Sequence, residues 1–187
     1  MKNMLPGFSL FMTIPLLGLI GCGGKGKSVE ALKQDLQSPK AKHRQHAAKS
    51  LGEMGPEAEE GVPSLIEALK DSDSKVRFRA ARSLGRIGPN AQDSATGLIE
   101  ALKDKDPKVR AAAAQSLGKI HAESKEAVPP LGQSLKDRDV TVRRAAASSL
   151  AKFGRHANEA APALNTALKD SDQQVRDLAA IILRKIH

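Results

Sequence analysis

An arginine stands at every thirty-third position along most of this chain: Arg44, Arg77, Arg110, Arg143 and Arg176. A period of this length belongs to stacked arrays, in which each unit buries its apolar face only against its neighbours. Other columns keep the same step. One reads Leu51, Leu84, Leu117, Leu150, Leu183, and another Met54, Ile87, Ile120, Phe153, Ile186. The apolar residues suit thin layers better than one thick core. They make up 40% of the 187 residues but include no Trp, no Tyr and only four Phe.

The array divides into units at 29–61, 62–94, 95–127, 128–160 and 161–187. In the second, Val62, Leu65, Ile66 and Leu69 have the spacing of one apolar stripe on a helix. Lys70 to Asp73 is polar and reads as a turn. Val76, Ala80, Ala81, Leu84 and Ile87 make a second stripe, and Gly88-Pro89 ends that helix. Alternation with period two is nowhere sustained, so no strands are predicted. Each unit is a helix pair.

These columns resemble the HEAT repeat, and more narrowly its short phycobilisome-lyase HEAT-like form. Pro63, Asp71, Val76 and Arg77 carry the resemblance in one unit. Pro129, Asp137, Val142 and Arg143 repeat it, as do Pro162, Asp170, Val175 and Arg176. The third unit keeps Asp104, Val109 and Arg110 but has Thr96 in place of the proline. The first has Ser38 for Asp and His43 for Val, polar changes that fit the end of an array. The resemblance implies an all-α, right-handed solenoid of about five helix pairs, with the second helices lining the concave side.

The segment before the array has a different character. Lys2 is followed by an apolar run from Leu5 to Ile20 that contains Pro6 and Pro15, and then by Cys22. A spanning helix needs about 20 apolar residues, so a signal peptide is the better reading. Leu19-Ile20-Gly21-Cys22 resembles the lipobox of bacterial lipoproteins. The resemblance implies removal of residues 1–21, a covalent lipid on Cys22, and a flexible tether over 22–28. It also implies anchorage in the bacterial cell envelope, on the periplasmic side of the outer membrane if there are two membranes. Cys22 is the sole cysteine, so no intramolecular disulfide forms and stability rests on packing. Gly21 to Ser28 also satisfies the phosphate-loop pattern, but no strand precedes it and cleavage would divide it.

No residues converge as a catalytic or cofactor site. Asp71, Arg77, Asp104, Arg110, Asp137, Arg143, Asp170 and Arg176 recur at every step, which suits a structural ladder. Each planar guanidinium would meet a carboxylate of its own or an adjoining unit. His43 and His46 lie three apart on one helix but lack a third ligand type nearby. His121 replaces a cap glycine. Glu57, Glu59 and Glu60 suit the first turn of a helix. The serine column Ser50, Ser83, Ser116, Ser149 lets helices approach. Neither a metal nor a soluble cofactor is expected.

The formal charge is +9. Lys42, Lys49, Lys75, Arg79, Arg82, Arg86, Lys119 and Lys152 would form a basic strip on the concave side, densest in units one to three, facing an acidic surface of a partner protein. In the last unit Leu178, Ile181 and Ile182 replace mostly small or polar residues. They read either as an interface with a partner or second copy, which is favoured, or as side chains folded onto their own neighbour. The expected function is a lipid-anchored, non-catalytic scaffold for protein interaction. The alternatives are a lyase-like or enzyme-associated module and, less favoured because stacking aromatics are scarce, a nucleic-acid-binding solenoid.

Overall fold

The structure, a computed structural model, describes residues 27–120 and 122–186. Cys22 and the signal segment lie outside these residues, as does His121. Ten helices follow one another: α1 (Val29–Asp35), α2 (Ala41–Met54), α3 (Val62–Ala68), α4 (Ser74–Ile87), α5 (Ala95–Ala101), α6 (Pro107–Leu117), α7 (Ser124–Ser134), α8 (Val140–Phe153), α9 (Ala161–Ala167) and α10 (Gln173–Ile186). The described residues contain no strand. Helices α2, α4, α6, α8 and α10 pack in that order, each against the next, and the odd-numbered helices form the outer layer.

Each long helix after the first starts from an aspartate that none of the sequence columns singled out. Asp73 Oδ1 accepts from the Lys75 and Val76 amides at 2.9 and 3.1 Å. Asp106 and Asp139 cap α6 and α8 through the Lys108 and Thr141 amides, at 2.9 and 2.8 Å. These carboxylates satisfy amides that have no partner within the helix. Lys40, which heads α2, supplies no such cap.

Gly55, Gly88 and Gly154 end α2, α4 and α8 with φ of 64°, 76° and 55°, a left-handed conformation that favours glycine. The sequence predicts only a stop there. Instead the chain continues through seven-residue 3-10 segments, Gly55–Gly61, Gly88–Ser94 and Gly154–Ala160. They tuck Ala58, Ala91 and Ala157 out of solvent, each at the same place in its segment. The third junction is built otherwise. Gly118 keeps a right-handed φ of −76°, and α7 begins at Ser124, inside the stretch assigned to the third unit. Pro129 and Pro130 therefore lie within α7 rather than at its start. Ser28, read as the end of a tether, is the N-cap of α1, its Oγ accepting from the Ala31 amide at 3.3 Å.

The core runs the length of the stack. Leu51, Leu84, Leu117 and Leu150 are fully buried, as are Val76, Val109, Val142 and Val175. The serine column does more than leave room. Ser83, Ser116 and Ser149 Oγ donate to the carbonyls of Ala48, Ala81 and Ala114 in the preceding unit, at 2.6, 2.7 and 2.7 Å. Gly52, Gly85 and Gly118 face these serines. A Cβ on each glycine would sit 2.6, 2.8 and 2.9 Å from the serine Cβ, so only hydrogen fits. No helix among the described residues is long and apolar enough to cross a membrane.

Candidate functional site

The ladder residues lie on one side of the long helices. Arg44 Nε and Nη2 donate to Asp71 Oδ2 and Oδ1 at 2.6 and 2.8 Å, while Nη1 donates to the Ser38 carbonyl at 2.8 Å. Arg77 and Asp104 repeat this fork at 2.6 and 2.9 Å. Arg110 and Asp137 do so at 2.7 and 2.8 Å, and Arg143 and Asp170 at 2.7 and 2.9 Å. In every case the carboxylate lies 27 residues on, in the following unit. The ladder thus joins neighbours rather than bracing each unit internally. Arg176 makes no such fork. It donates to the Asp170 carbonyl at 2.6 Å and to the Gln173 side chain.

The pairs are largely enclosed, with side-chain exposures of 7% for Arg77 and 11% for Asp104. The Arg44 and Arg110 hydrogen bonds hold Asp71 and Asp137 below the usual carboxylate range. Burial pushes Asp104 and Asp170 the other way, but hydrogen bonds from Arg77 and Arg143 and from backbone amides outweigh it. Their hydrogen-bonding groups are occupied by one another and by backbone, as a structural role requires.

The opposite side of the same helices carries a cleft of about 730 Å³ running from α4 across α6 and α8 to α10. Its charged lining is Arg82, Arg86, Lys108, Lys119 and Arg144, with no carboxylate among the lining residues. Arg144 is held by Asp172, Nε to Oδ1 at 2.9 Å, and that hydrogen bond brings the Asp172 carboxyl down to about 2. Arg82, Arg86 and Lys119 make no ion pair or side-chain hydrogen bond with the described residues. A second cleft, of about 590 Å³, places Lys119 beside Lys152 and Phe153. Burial lowers the Lys119 ammonium, and the positive charges of Lys152, Arg82 and Arg86 lower it further. Lys119 thus feels three other cations, and none of the four has an ion-pair partner among the described residues.

The predicted strip is brought together only in part. Arg82, Arg86, Lys119 and Lys152 share these clefts. Lys49 instead pairs with Glu53 at 3.2 Å. Arg79 is half-buried, with its guanidinium 5.8 Å from the centre of the Phe78 ring. Lys42 and Lys75 are exposed but line neither cleft. The site therefore spans units two to five, whereas the expected strip runs over units one to four and is densest in one to three. Arg144 and Gln115 belong to it although neither recurs in a column, so periodicity alone does not select them.

In the last unit the three apolar residues part company. Ile182 is fully buried, which corrects its reading as an interface residue. It stands in the serine column, and Ala151 on α8 occupies the corresponding position of the glycine column. Leu178 is half-buried against the core and Ile181 is 44% exposed. Away from the cleft, His43 Nδ1 lies 3.3 Å from Ser38 Oγ. Among the described residues no group of three or more His, Cys, Asp or Glu could hold a metal ion. Glu59 accepts from Asn90 Nδ2 at 2.7 Å, linking successive 3-10 segments.

Comparison with known proteins agrees with this geometry. No curated protein matches the chain in sequence. The CpcE–CpcF complex of phycocyanin lyase from Nostoc sp. PCC7120 is similar at a TM-score of 0.74 and 26% identity, over 97% of this chain and 70% of that one. An engineered protein is similar at 0.72 and 25% identity, over 84% and 78%. A designed armadillo repeat protein in complex with the peptide (KR)4 shares the fold at 0.72 and 16% identity, over 85% and 82%. The sequence pattern of HEAT repeats matches residues 29–96 and 95–184. A 33-residue helix-pair period, a carboxylate–guanidinium ladder between units and a match across nearly all of the array make this chain a member of the HEAT-repeat family.

Proposed function

We propose that this chain is a lipid-anchored, non-catalytic scaffold whose concave cleft binds an acidic surface of a partner protein. The observation that carries this reading is the group Arg82, Arg86, Lys119 and Lys152. Like charges held together without a counter-ion raise the local potential, and an anionic partner relieves that repulsion on binding. The designed armadillo protein in complex with (KR)4 supports a peptide-binding use of this architecture. Here the cleft is basic, so the ligand's charge would be reversed. The anchor would be a lipid on Cys22, placing the array at the bacterial cell envelope, on the periplasmic side of the outer membrane where two membranes exist. Basic residues close after the anchor, Lys25, Lys40 and Lys42, would each add about 1 kcal/mol of attraction to anionic headgroups.

The test is binding of a fluorescent oligoglutamate peptide as salt is varied. Binding that weakens with salt and disappears in the triple variant Arg82→Glu, Arg86→Glu, Lys119→Glu is expected. Equal binding by the variant would overturn the reading. Incorporation of labelled palmitate, abolished by Cys22→Ser, tests the anchor. A second reading is favoured by the similarity to the phycocyanin lyase complex: an enzyme-associated, lyase-like module. A bound pigment or turnover in purified material would support it over the scaffold.

A further inference from the structure

The cleft changes character along its length, and that change narrows what it can hold. On α4 its floor is cationic, with Arg82 and Arg86. Across α6 and α8 small residues, Ala112 and Ala145, are interleaved with Gln115 and Ser148, with Lys108, Lys119 and the Asp172-paired Arg144 also in the lining. Stepping by the repeat period, the Arg82, Gln115 and Ser148 column reaches Ile181 on α10, and the Ala112 and Ala145 column reaches Leu178. Gln174, one turn before Leu178, lines the cleft itself. Ile181 is the most exposed large apolar side chain among the described residues, at 44%.

That exposure is not the raw end of the stack. The contacts between units show which positions of a long helix face the next one. These are the glycine column of Gly52, Gly85 and Gly118 and the alanine column of Ala48, Ala81 and Ala114. On α10 the same positions are Arg184 and Ala180. Ile181 lies off that face, in register with residues that line the cleft.

We propose, resting on the protein-binding function above, that the cleft takes an extended segment of a partner protein carrying carboxylates at one end and an aliphatic side chain at the other. The carboxylates would meet Arg82, Arg86 and Lys119, and the aliphatic group would cover Ile181 and Leu178. The alanines in between leave room for a backbone, whose amides and carbonyls need partners, and Gln115, Ser148 and Gln174 supply them. From α4 to α10 are three helix-to-helix steps of about 8–10 Å. The two ends of the segment are thus about 24–30 Å apart, a span of about seven to nine residues of extended chain. A helical ligand would need about 16–20 residues for the same span.

Labelled peptides test this against the full-length chain in detergent micelles. Each carries three glutamates, a neutral glycine–serine spacer of varied length and two leucines, in both chain directions. A peptide without the leucines is the reference. At a spacing of about seven to nine residues the leucines should tighten binding about tenfold over the reference. Ile181→Ser, an exposed position whose change leaves the core intact, should erase that gain and leave reference binding as in the unaltered chain. The inference is overturned if the leucines add nothing at any spacing, if the best spacing is that of a helix, or if Ile181→Ser keeps the gain. In those cases charge-sensitive binding of the reference would still uphold the scaffold function. If the reference itself fails to bind, both fall. Displacement of the best peptide by a lower concentration of single-stranded oligonucleotide would assign the cleft to phosphate instead.

Discussion

Arg77 and Arg82 lie five positions apart on α4 and lead opposite lives. Arg77 is enclosed, and each of its three guanidinium nitrogens donates to Asp104 or to a backbone carbonyl. Arg82 is exposed, stands among like charges and has no partner in the described residues. The ladder side of the stack repeats at each step because every junction between units needs the same bond. The cleft side drifts from arginine through glutamine and serine to isoleucine. On the ladder side periodicity marks what holds this molecule together, while on the cleft side one basic column, Arg86, Lys119 and Lys152, keeps the step and its neighbour changes at every unit.

The largest effect should come from breaking one rung. Arg110→Ala leaves the Asp137 carboxylate enclosed without its cation, a change that costs about 3–5 kcal/mol when a buried pair loses one member. Each unit touches only its neighbours, so the damage should stay at one junction. Hydrogen exchange should show protection falling at the boundary of units three and four, with the outer units less affected. Uniform loss along the array would mean that the units are more cooperative than a nearest-neighbour stack.

Next in size is the helix contact that the serine–glycine pairs permit. Gly85→Val drives a side chain into Ser116, whose Cβ is already 2.8 Å from where a Cβ on Gly85 would lie. The helices α4 and α6 must separate and Ser116 must release the Ala81 carbonyl. A cost of about 1–3 kcal/mol is expected from overpacking, read as a lower denaturant midpoint. At the last junction, by contrast, Ala151 and Ile182 already substitute for the pair. Ala151→Gly should fail to tighten it, because the buried Ile182 is bulkier than the serine of the other junctions.

The ladder also sets a pH dependence. Asp71, Asp104, Asp137 and Asp170 all have lowered pKa values in the fold. The unfolded chain takes up protons first, near the usual carboxylate value of about 3.9. Stability from these groups is thus complete above that pH and is lost as pH falls through the lower folded values. Asp104→Asn should reduce stability at neutral pH and flatten the acid-unfolding profile. The single midpoint shift should be smaller than that of Arg110→Ala, since Asn still accepts one hydrogen bond.

How much of this was legible beforehand follows the same division. The arginine, leucine and serine columns name the helix pairs, the ladder and the close helix contacts, because a periodic structure writes its demands at a fixed interval. Three things escaped. The direction of each rung depends on how one unit is stacked on the next, which spacing does not encode. The capping aspartates Asp73, Asp106 and Asp139 also recur, but they sit in turns beside the ladder aspartates, where a polar run hides them. Ile182 stands out in sequence as a large apolar residue replacing serine, which suggests an interface, although its column faces a neighbouring helix. In the cleft, Arg144 and Gln115 are single occurrences and gain meaning only from the three-dimensional path.

The smallest effect on stability separates the two sides most sharply. Lys119 titrates below its ordinary value because burial and the charges of Lys152, Arg82 and Arg86 disfavour its cation. The sign is therefore opposite to that of the ladder: the folded state is burdened by this charge rather than held by it. Lys119→Met keeps the aliphatic stem and removes the charge, so stability should be unchanged or slightly higher, within about 0.5 kcal/mol. Binding of oligoglutamate should weaken all the same, and its dependence on salt should become shallower. A variant that unfolds more easily while binding as before would place Lys119 with the ladder residues and dissolve the contrast between the two sides of the stack.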